Sequence, residues 1–405
     1  MKILFVAQPD SAHTARWIAQ LDGLGWDLRL FSSNGGRPGP ELPPITMHTY
    51  LPEDWPEKAP KVRQVPIVPW RFKRGREWAR IIYGKLRPRL AVPPGRLADL
   101  IDRLQPDIVH TLEMQHAGYL MEEARRLLRR PVAHSWFYSC WGNDILFFRN
   151  DQKHAERIAN VIRSCDYFTA DCERDLALIK SYGPTGKAIP VFPTGGGYRL
   201  EAVEGYRTPG PVSSRRIIAL KGYHSDQWTG RALVGLQALH QCANDLLGYE
   251  IVIYHAAPCV RFAAEYVTRV SGLKITVLSE LVRNENILQL LGKSRIGMGI
   301  SVGDGTPNTM LEAMIMGAFP IQTDTADTKG WITPGQNGII VPPNCPDAIA
   351  AAVRRAVYED RLVDEAAETN ARIAAQRLDF RKIQDEVVQL YKNIAAKRWE
   401  QAARK

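Results

Sequence analysis

Asp304 and Glu312 flank the part of this chain best equipped for chemistry, with Gly305, Thr306, Pro307, Asn308 and Thr309 between them. Gly303 and Gly305 let the backbone turn sharply and approach a ligand closely. Thr306 suits a helix N-cap, and Pro307 suits the first helical position, where its missing N–H is not needed. The pattern predicts a helix from about residue 307. Its unpaired N–H groups and positive dipole end would face whatever lies over Gly305 and Thr306, which is the chemistry that holds a phosphate or diphosphate. Met310, Leu311, Met314 and Ile315 read as the buried stripe of that helix, while Asn308 and Glu312, four apart, share another face.

The elements that must position these residues alternate along the chain. An apolar run, residues 296 to 300, predicts a buried strand before the glycine turn, and Gly317 ends the helix before the next strand at 320 to 323. In the first half, strands at 2 to 7, 27 to 32, 107 to 111 and 131 to 135 alternate with helices near 12 to 24, 96 to 104 and 118 to 128. Residues 166 to 170 and 190 to 192 read as its last strands. This βαβ alternation implies a parallel sheet covered on both faces. The Pro- and Gly-rich stretch from 34 to 69 reads as a long irregular excursion. Three glycines (195 to 197) and the polar stretch 204 to 215 read as a linker. Beyond it the alternation restarts, with strands at 216 to 220, 250 to 255 and 274 to 278 and helices at 230 to 247 and 259 to 270. Helical stretches at about 346 to 358 and 361 to 376 follow, and then a final helix, 381 to 396, striped by Ile383, Val387, Leu390 and Tyr391.

At 405 residues the chain has length for two or three domains, and its apolar (45%) and charged (24%) fractions are those of a globular protein. No stretch approaches the roughly 18 apolar residues of a membrane span. The run 3 to 7 is too short for a signal peptide and reads as a first strand, which implies a cytosolic protein. Six scattered cysteines without a CxxC or His-paired spacing argue for reduced thiols and against a zinc site. The net charge of +10 is concentrated at residues 70 to 89, where Arg71, Lys73, Arg74, Arg76, Arg80, Lys85, Arg87 and Arg89 interleave with Trp70, Phe72, Trp78 and Tyr83. Such a mixture fits a surface docking on anionic lipid, at the inner face of the cytoplasmic membrane. A solvated basic loop is the plain alternative, and no recognised nucleic-acid module is visible.

The segment around Asp304, with its Gly-x-Pro, Leu311-Glu312-Ala313-Met314 and a strand ending in Thr323-Asp324, resembles the nucleotide-sugar signature of retaining GT-B glycosyltransferases of family 4 (glycosyl transferases group 1). The resemblance implies two Rossmann-like domains facing across a cleft: residues 1–200 binding the acceptor, residues 213–380 binding the donor, and a C-terminal helix, about 381–405, crossing back to the first domain. It implies a sugar contact for Asp304, diphosphate held by Gly305 through Thr309, and ribose hydroxyls held by Glu312 beside Leu311. The family usually has Glu where this chain has Asp304. Lys221 and Gly222 stand where the family has a strand ending in Gly-Arg, and the nearby cations are Lys221 and Arg231. At least one of these two is expected on the phosphates, because a departing nucleoside diphosphate gains negative charge. The loop 279 to 283 is placed to meet the nucleotide base.

In the first domain, Asp107-Ile-Val-His110 and Trp141-Gly-Asn-Asp144 resemble the family's Asp-x-x-His and His-Gly-x-Asp, with Trp141 in place of its histidine. His110 stands between a cleft role and a core role, Asp144 is placed for the acceptor or the opposing domain, and His134 reads first as a core histidine. The first turn lacks the family's Gly-Gly pair, so Ser11, His13 and Arg16 are the acceptor candidates there. The implied reaction is a metal-free, cofactor-free transfer of a hexosyl group from a nucleoside diphosphate to a hydroxyl with retention, by front-face attack, on a lipid-linked or cell-surface polysaccharide intermediate. Closure about 194 to 215 would exclude water. A GT-B sugar-nucleotide epimerase and an inactive sugar-nucleotide-binding or membrane scaffold protein are the alternative readings.

Overall fold

A computed structural model describes residues 1–49, 61–67, 82, 85–86, 90, 92–131, 134–193, 195–226, 229–278 and 282–403. The basic aromatic segment 70–89 lies outside these residues apart from 82, 85 and 86, as do residues 279–281 of the loop assigned to the base. The chain divides into a first unit, Met1–Gly196 with Ile383–Lys405, and a second, Gly197–Lys382.

The first unit is built on eight parallel strands in the order β4-β3-β2-β1-β5-β6-β7-β8. They are β1 (Lys2–Ala7), β2 (Asp27–Ser32), β3 (Ile45–Thr49), β4 (Val62–Pro66), β5 (Ile108–Leu112), β6 (Ser135–Cys140), β7 (Tyr167–Ala170) and β8 (Lys187–Ala188). Helices α1 (Ala12–Ala19), α2 (Pro93–Leu104), α3 (Tyr119–Arg125), α4 (Gln152–Ser164) and α5 (Glu173–Ser181) connect them. Strands covered on both faces need apolar residues at every position rather than alternate ones. β5 and β6 accordingly bury every residue they have. The sequence reading missed β3 and β4 in the stretch read as irregular. Each is short and lies among turn residues, yet β3 pairs in register with β2, Arg29 opposite Thr46, and β4 with β3, Ile45 opposite Val62. The strand expected at 131 to 135 begins instead at Ser135, and 190 to 192 forms no strand, although Phe192 N–H meets the Ala170 carbonyl of β7.

The second unit carries six parallel strands in the order β11-β10-β9-β12-β13-β14. These are β9 (Ile217–Lys221), β10 (Glu250–Tyr254), β11 (Lys274–Val277), β12 (Ile296–Gly299), β13 (Phe319–Thr323) and β14 (Ile339–Val341). Its helices are α6 (Leu200–Glu204), α7 (Ala232–Gln241), α8 (Pro258–Ser271), α9 (Asn284–Lys293), α10 (Asn308–Met316), α11 (Pro346–Tyr358) and α12 (Asp360–Arg377). The stretch 204 to 215, expected as a linker, is packed into this unit. Val212 is in its core, Arg215 is buried with Nη1 on the carbonyls of Ser294 and Met316, and Ser213 donates to Asp364. A polar sequence is stable there because the guanidinium groups of Arg207 and Arg215 donate to backbone carbonyls and Ser213 donates to a carboxylate.

The last helix, α13 (Phe380–Ala403), returns the chain to the first unit, where Ile383, Val387, Tyr391 and Ile394 complete a core containing Ile3, Phe5, Trp17 and Phe137. No helix among the described residues is long and apolar enough to cross a membrane.

Candidate functional site

The second unit places its strand reversal between β9 and β12, and ligands of parallel sheets lie outside the carboxyl ends of strands at such a reversal. β9 ends at the half-buried Lys221 and passes into Gly222. A Cβ on Gly222 would stand 2.6 Å from Ala256 Cα, so glycine alone allows this approach, which is fixed by Gly222 N–H on the Tyr254 carbonyl (2.7 Å) and Ala257 N–H on the Gly222 carbonyl (3.0 Å). Arg231 folds back, its Nη1 donating to the carbonyls of Ser225 and Gly230 at 2.7 Å each, and its guanidinium braces this loop.

After β12 the loop 301 to 307 is pinned from both sides. Val302 N–H meets the Thr229 carbonyl, Thr325 Oγ1 donates to the Ser301 carbonyl, and Asp327 N–H meets the Gly305 carbonyl. Asp304, half-buried, accepts from the N–H of Gly305 at 2.9 Å. The helix start differs from expectation by one residue. Pro307 is itself the N-cap, with φ −70° and ψ 123°, and no side chain caps the helix, so Thr306 is not the cap. An extended ψ at Pro307 delays the helical turn to Asn308, so Asn308 and Thr309 open the first turn of α10. The helix also lacks a single buried stripe, because every residue from Thr309 to Met316 is buried, Leu311 among them.

Glu312, only 5% exposed, is held in this buried helix by two donors that sequence reading did not find. Asn284 Nδ2, from the first position of α9, lies 2.7 Å from its Oε1, and the Tyr198 hydroxyl lies at 3.3 Å. Neither has a local signature, since each reaches Glu312 only through the tertiary fold. Tyr254 lies beside them, its hydroxyl pushed well above the usual tyrosine range by burial and then by the charge of Glu312.

The structure sorts the first unit's candidates by burial. Ser11 caps α1, its Oγ accepting from the His13 N–H at 3.2 Å. The ring of His13 packs 5.4 Å from that of Trp141, which brings two sequence candidates together, and Arg16 is half-buried in the last turn of α1. His110 is corrected to a core residue. It has no exposed surface, stacks on Phe137 at 4.0 Å, and engages both nitrogens, with the Tyr391 hydroxyl and with Ser139 Oγ (2.8 Å), so no ligand reaches it. Burial holds its pKa well below the ordinary histidine value. His134 is also buried. Asp144 is buried too, and its Oδ2 accepts from Trp141 N–H (2.8 Å) and the Tyr138 hydroxyl (3.1 Å), so in this structure it shapes the turn that presents Trp141. Burial and then the Glu113 carboxylate push its pKa up.

Among the described residues Asp171, Cys172 and Asp175 place one possible ligand atom each within 4.8 Å of one another. Arg174 already pairs with both oxygens of Asp175, at 2.9 and 3.0 Å, and burial pushes the Cys172 thiol up, which opposes the thiolate a metal needs.

Two units of parallel sheet and helix, with the last helix returned to the first, define the GT-B class of fold. Residues 232–359 match the family model described as "Glycosyl transferases group 1". Solved structures of the same fold include sucrose-phosphate synthase from Thermosynechococcus elongatus, 14% identical, covering 98% of this chain and 100% of that one with a TM-score of 0.67. HepE from Anabaena, in complex with UDP-glucose, is 15% identical over 97% of this chain and 100% of its own, with a TM-score of 0.70. A glycosyltransferase from Rickettsia africae is 16% identical over 97% and 98%, with a TM-score of 0.62. No curated protein matches the chain by sequence.

Proposed function

We propose that the chain is a retaining glycosyltransferase of the family 4 type, moving a hexosyl group from a nucleoside diphosphate to an acceptor hydroxyl. One observation carries this reading: a buried carboxylate, Glu312, is pre-oriented by Asn284 and Tyr198 one turn inside a helix whose first turn has no side-chain cap. An uncapped helix start suits a diphosphate, and a fixed carboxylate one turn on suits the vicinal hydroxyls of a ribose. Gly305 through Thr309 would cradle the diphosphate, and Asp304 would contact the sugar. At least one of Lys221 and Arg231 would offset the charge that develops as the leaving group departs. The acceptor would lie on the first unit, and the scheme asks for no metal or organic cofactor. The basic aromatic stretch 70–89 supports a lipid-linked or cell-surface saccharide as acceptor and a peripheral position on the cytoplasmic membrane.

The test is a panel of UDP-, GDP-, ADP- and dTDP-sugars assayed for thermal stabilisation of the full chain. The donor that stabilises it is then incubated with lipid and saccharide fractions, and the product's anomeric configuration is read by NMR. Acceptor-dependent release of nucleoside diphosphate with retention is expected. Isomerised donor without an acceptor would identify an epimerase instead, and inversion would contradict the family 4 reading.

A further inference from the structure

The first unit has its own strand reversal, between β1 and β5, and the crevice outside their carboxyl ends is where a parallel sheet of this order receives a ligand. Two residues that the reading above leaves without a role meet there. Glu113, the first residue after β5, adopts φ 77° and ψ 164°, a backbone conformation that belongs almost entirely to glycine and clusters at functional sites when another residue holds it. Met114–Gly118 then wind as a single π turn, also a recurrent feature of functional sites.

The Glu113 carboxylate, buried at 5% exposure, organises this turn. Its Oε1 accepts from the N–H groups of His116 and Ala117, the latter at 2.8 Å, and its Oε2 lies 3.1 Å from His116 Nδ1. From the other side of the reversal Gln8, the residue after β1, brings its side-chain amide to 3.3 Å of the same Nδ1. With Nδ1–H given to the carboxylate and the Gln8 amide turned so that its oxygen rather than its nitrogen faces that N–H, the lone pair of the neutral ring sits on Nε2. The imidazole is 52% exposed, so a buried acid sets the tautomer and orientation of a ring open to solvent. Asp10, exposed in the turn after β1, acts on the same ring, and the His13 and Trp141 pair lies after β1 and β6. Carboxylate, amide, imidazole and indole together match a saccharide, whose hydroxyls both donate and accept and whose C–H faces settle on aromatic rings.

We propose that His116 recognises a hydroxyl of the saccharide acceptor, accepting its hydrogen bond at Nε2, and that Glu113 is the positioning residue for His116. The inference rests on the transferase reading, with the acceptor on the first unit. Glu113 and Asp10 are the charged groups that act on His116, and both raise its pKa, the hydrogen bond to Glu113 most. Below that pKa Nε2 carries a proton and stops accepting, so saccharide binding should fall at low pH.

The probes are the methyl α- and β-glycosides of glucose, galactose, mannose and N-acetylglucosamine, followed by saturation-transfer NMR on the full chain. At least one should bind, weaken about tenfold or more in His116→Ala, the loss of roughly one hydrogen bond, and leave nucleoside diphosphate affinity within about twofold. Glu113→Gln keeps an oxygen for the backbone amides but lowers the His116 pKa, so the pH below which binding is lost should move down, a shift that a merely structural role would not give. Binding indifferent to His116→Ala, or no binding by any of these glycosides, overturns the inference. A chain that ignores every nucleoside diphosphate instead sinks the transferase reading, and thermal shift separates the two failures.

Discussion

Glu312 shows how one side chain depends on residues far away in sequence. Its oxygen is shared by Asn284 and Tyr198, which lie 28 and 114 residues away, so substitution disturbs three groups at once. Glu312→Ala should leave a buried and a half-buried donor, Tyr198 and Asn284, without this acceptor, costing about 1–3 kcal/mol in stability, and should weaken nucleotide binding by roughly 10- to 100-fold. Denaturant melts and nucleotide titration measure the two effects separately. His110 is expected to behave differently, because it is a core residue: His110→Ala should cost about 2–4 kcal/mol and leave nucleotide affinity unchanged. Protons discriminate further among the histidines. Burial lowers His110 well below the ordinary value and His48 from 6.5 to about 4, so the unfolded chain takes up protons that the folded one refuses. Both therefore withdraw stability as pH falls from about 6.5 toward 4. His116, raised by Glu113, has the opposite sign. Its contribution is full below the unfolded pKa and is lost as pH rises through the folded one. The stability gap between the natural chain and His116→Asn should thus narrow from pH 6 to pH 8, as measured by urea unfolding. Asp304 and Glu312 were legible in the sequence because turn, helix and carboxylates fall in local order. Asn284, Tyr198, Glu113 and His116 were not, because their meaning lies in hydrogen bonds that only the assembled sheets bring about.

At the scale of elements, the contact between β12 and α10 decides where the proposed anion site sits. Gly297, in the middle of β12, leaves room for Ala313, whose Cβ would lie 2.8 Å from a Cβ built on the glycine. Gly297→Ala therefore pushes the helix away from the strand, with an expected cost of about 1–3 kcal/mol. Because the loop from Asp304 to Asn308 hangs between these two elements, nucleotide binding should weaken along with the melting temperature. A loss of stability with unchanged affinity would mean that the loop is positioned by its Thr229, Thr325 and Asp327 contacts instead. The strands β1, β5 and β13 were readable because they are buried at nearly every position and mostly apolar, whereas β4 has no residue that is fully buried. A half-covered edge strand among prolines carries no such signal. The one-residue error at the start of α10 has a similar origin, because Pro307 suits either the N-cap or the first turn and only ψ distinguishes them.

For the whole molecule, the first unit depends on residues from the far end of the chain. Tyr391 is fully buried there, its hydroxyl accepting from Trp17 Nε1 at 3.0 Å and meeting His110. Tyr391→Ala should cost about 3–5 kcal/mol and lower the melting of the first unit, while nucleotide still stabilises the second. Calorimetry with and without nucleotide resolves the two transitions. The charge of +10 predicts binding to vesicles containing phosphatidylserine that fades between about 0.05 and 0.5 M salt, read by co-sedimentation. Replacing the basic residues of 70–89 by serine should abolish it.

The returning helix also sets an order of events during synthesis. The first unit's strands leave the ribosome early, yet Val387, Tyr391 and Ile394 emerge only after the whole of the second unit has been made. Domains ordinarily fold from the N-terminus onward as they appear. Here the second unit, continuous in sequence, can finish while the first still waits for its last core residues with a parallel sheet exposed. Of the two units, the one translated earlier is the later to be completed, and a chaperone that holds nascent chains would have its longest task on residues 1 to 196.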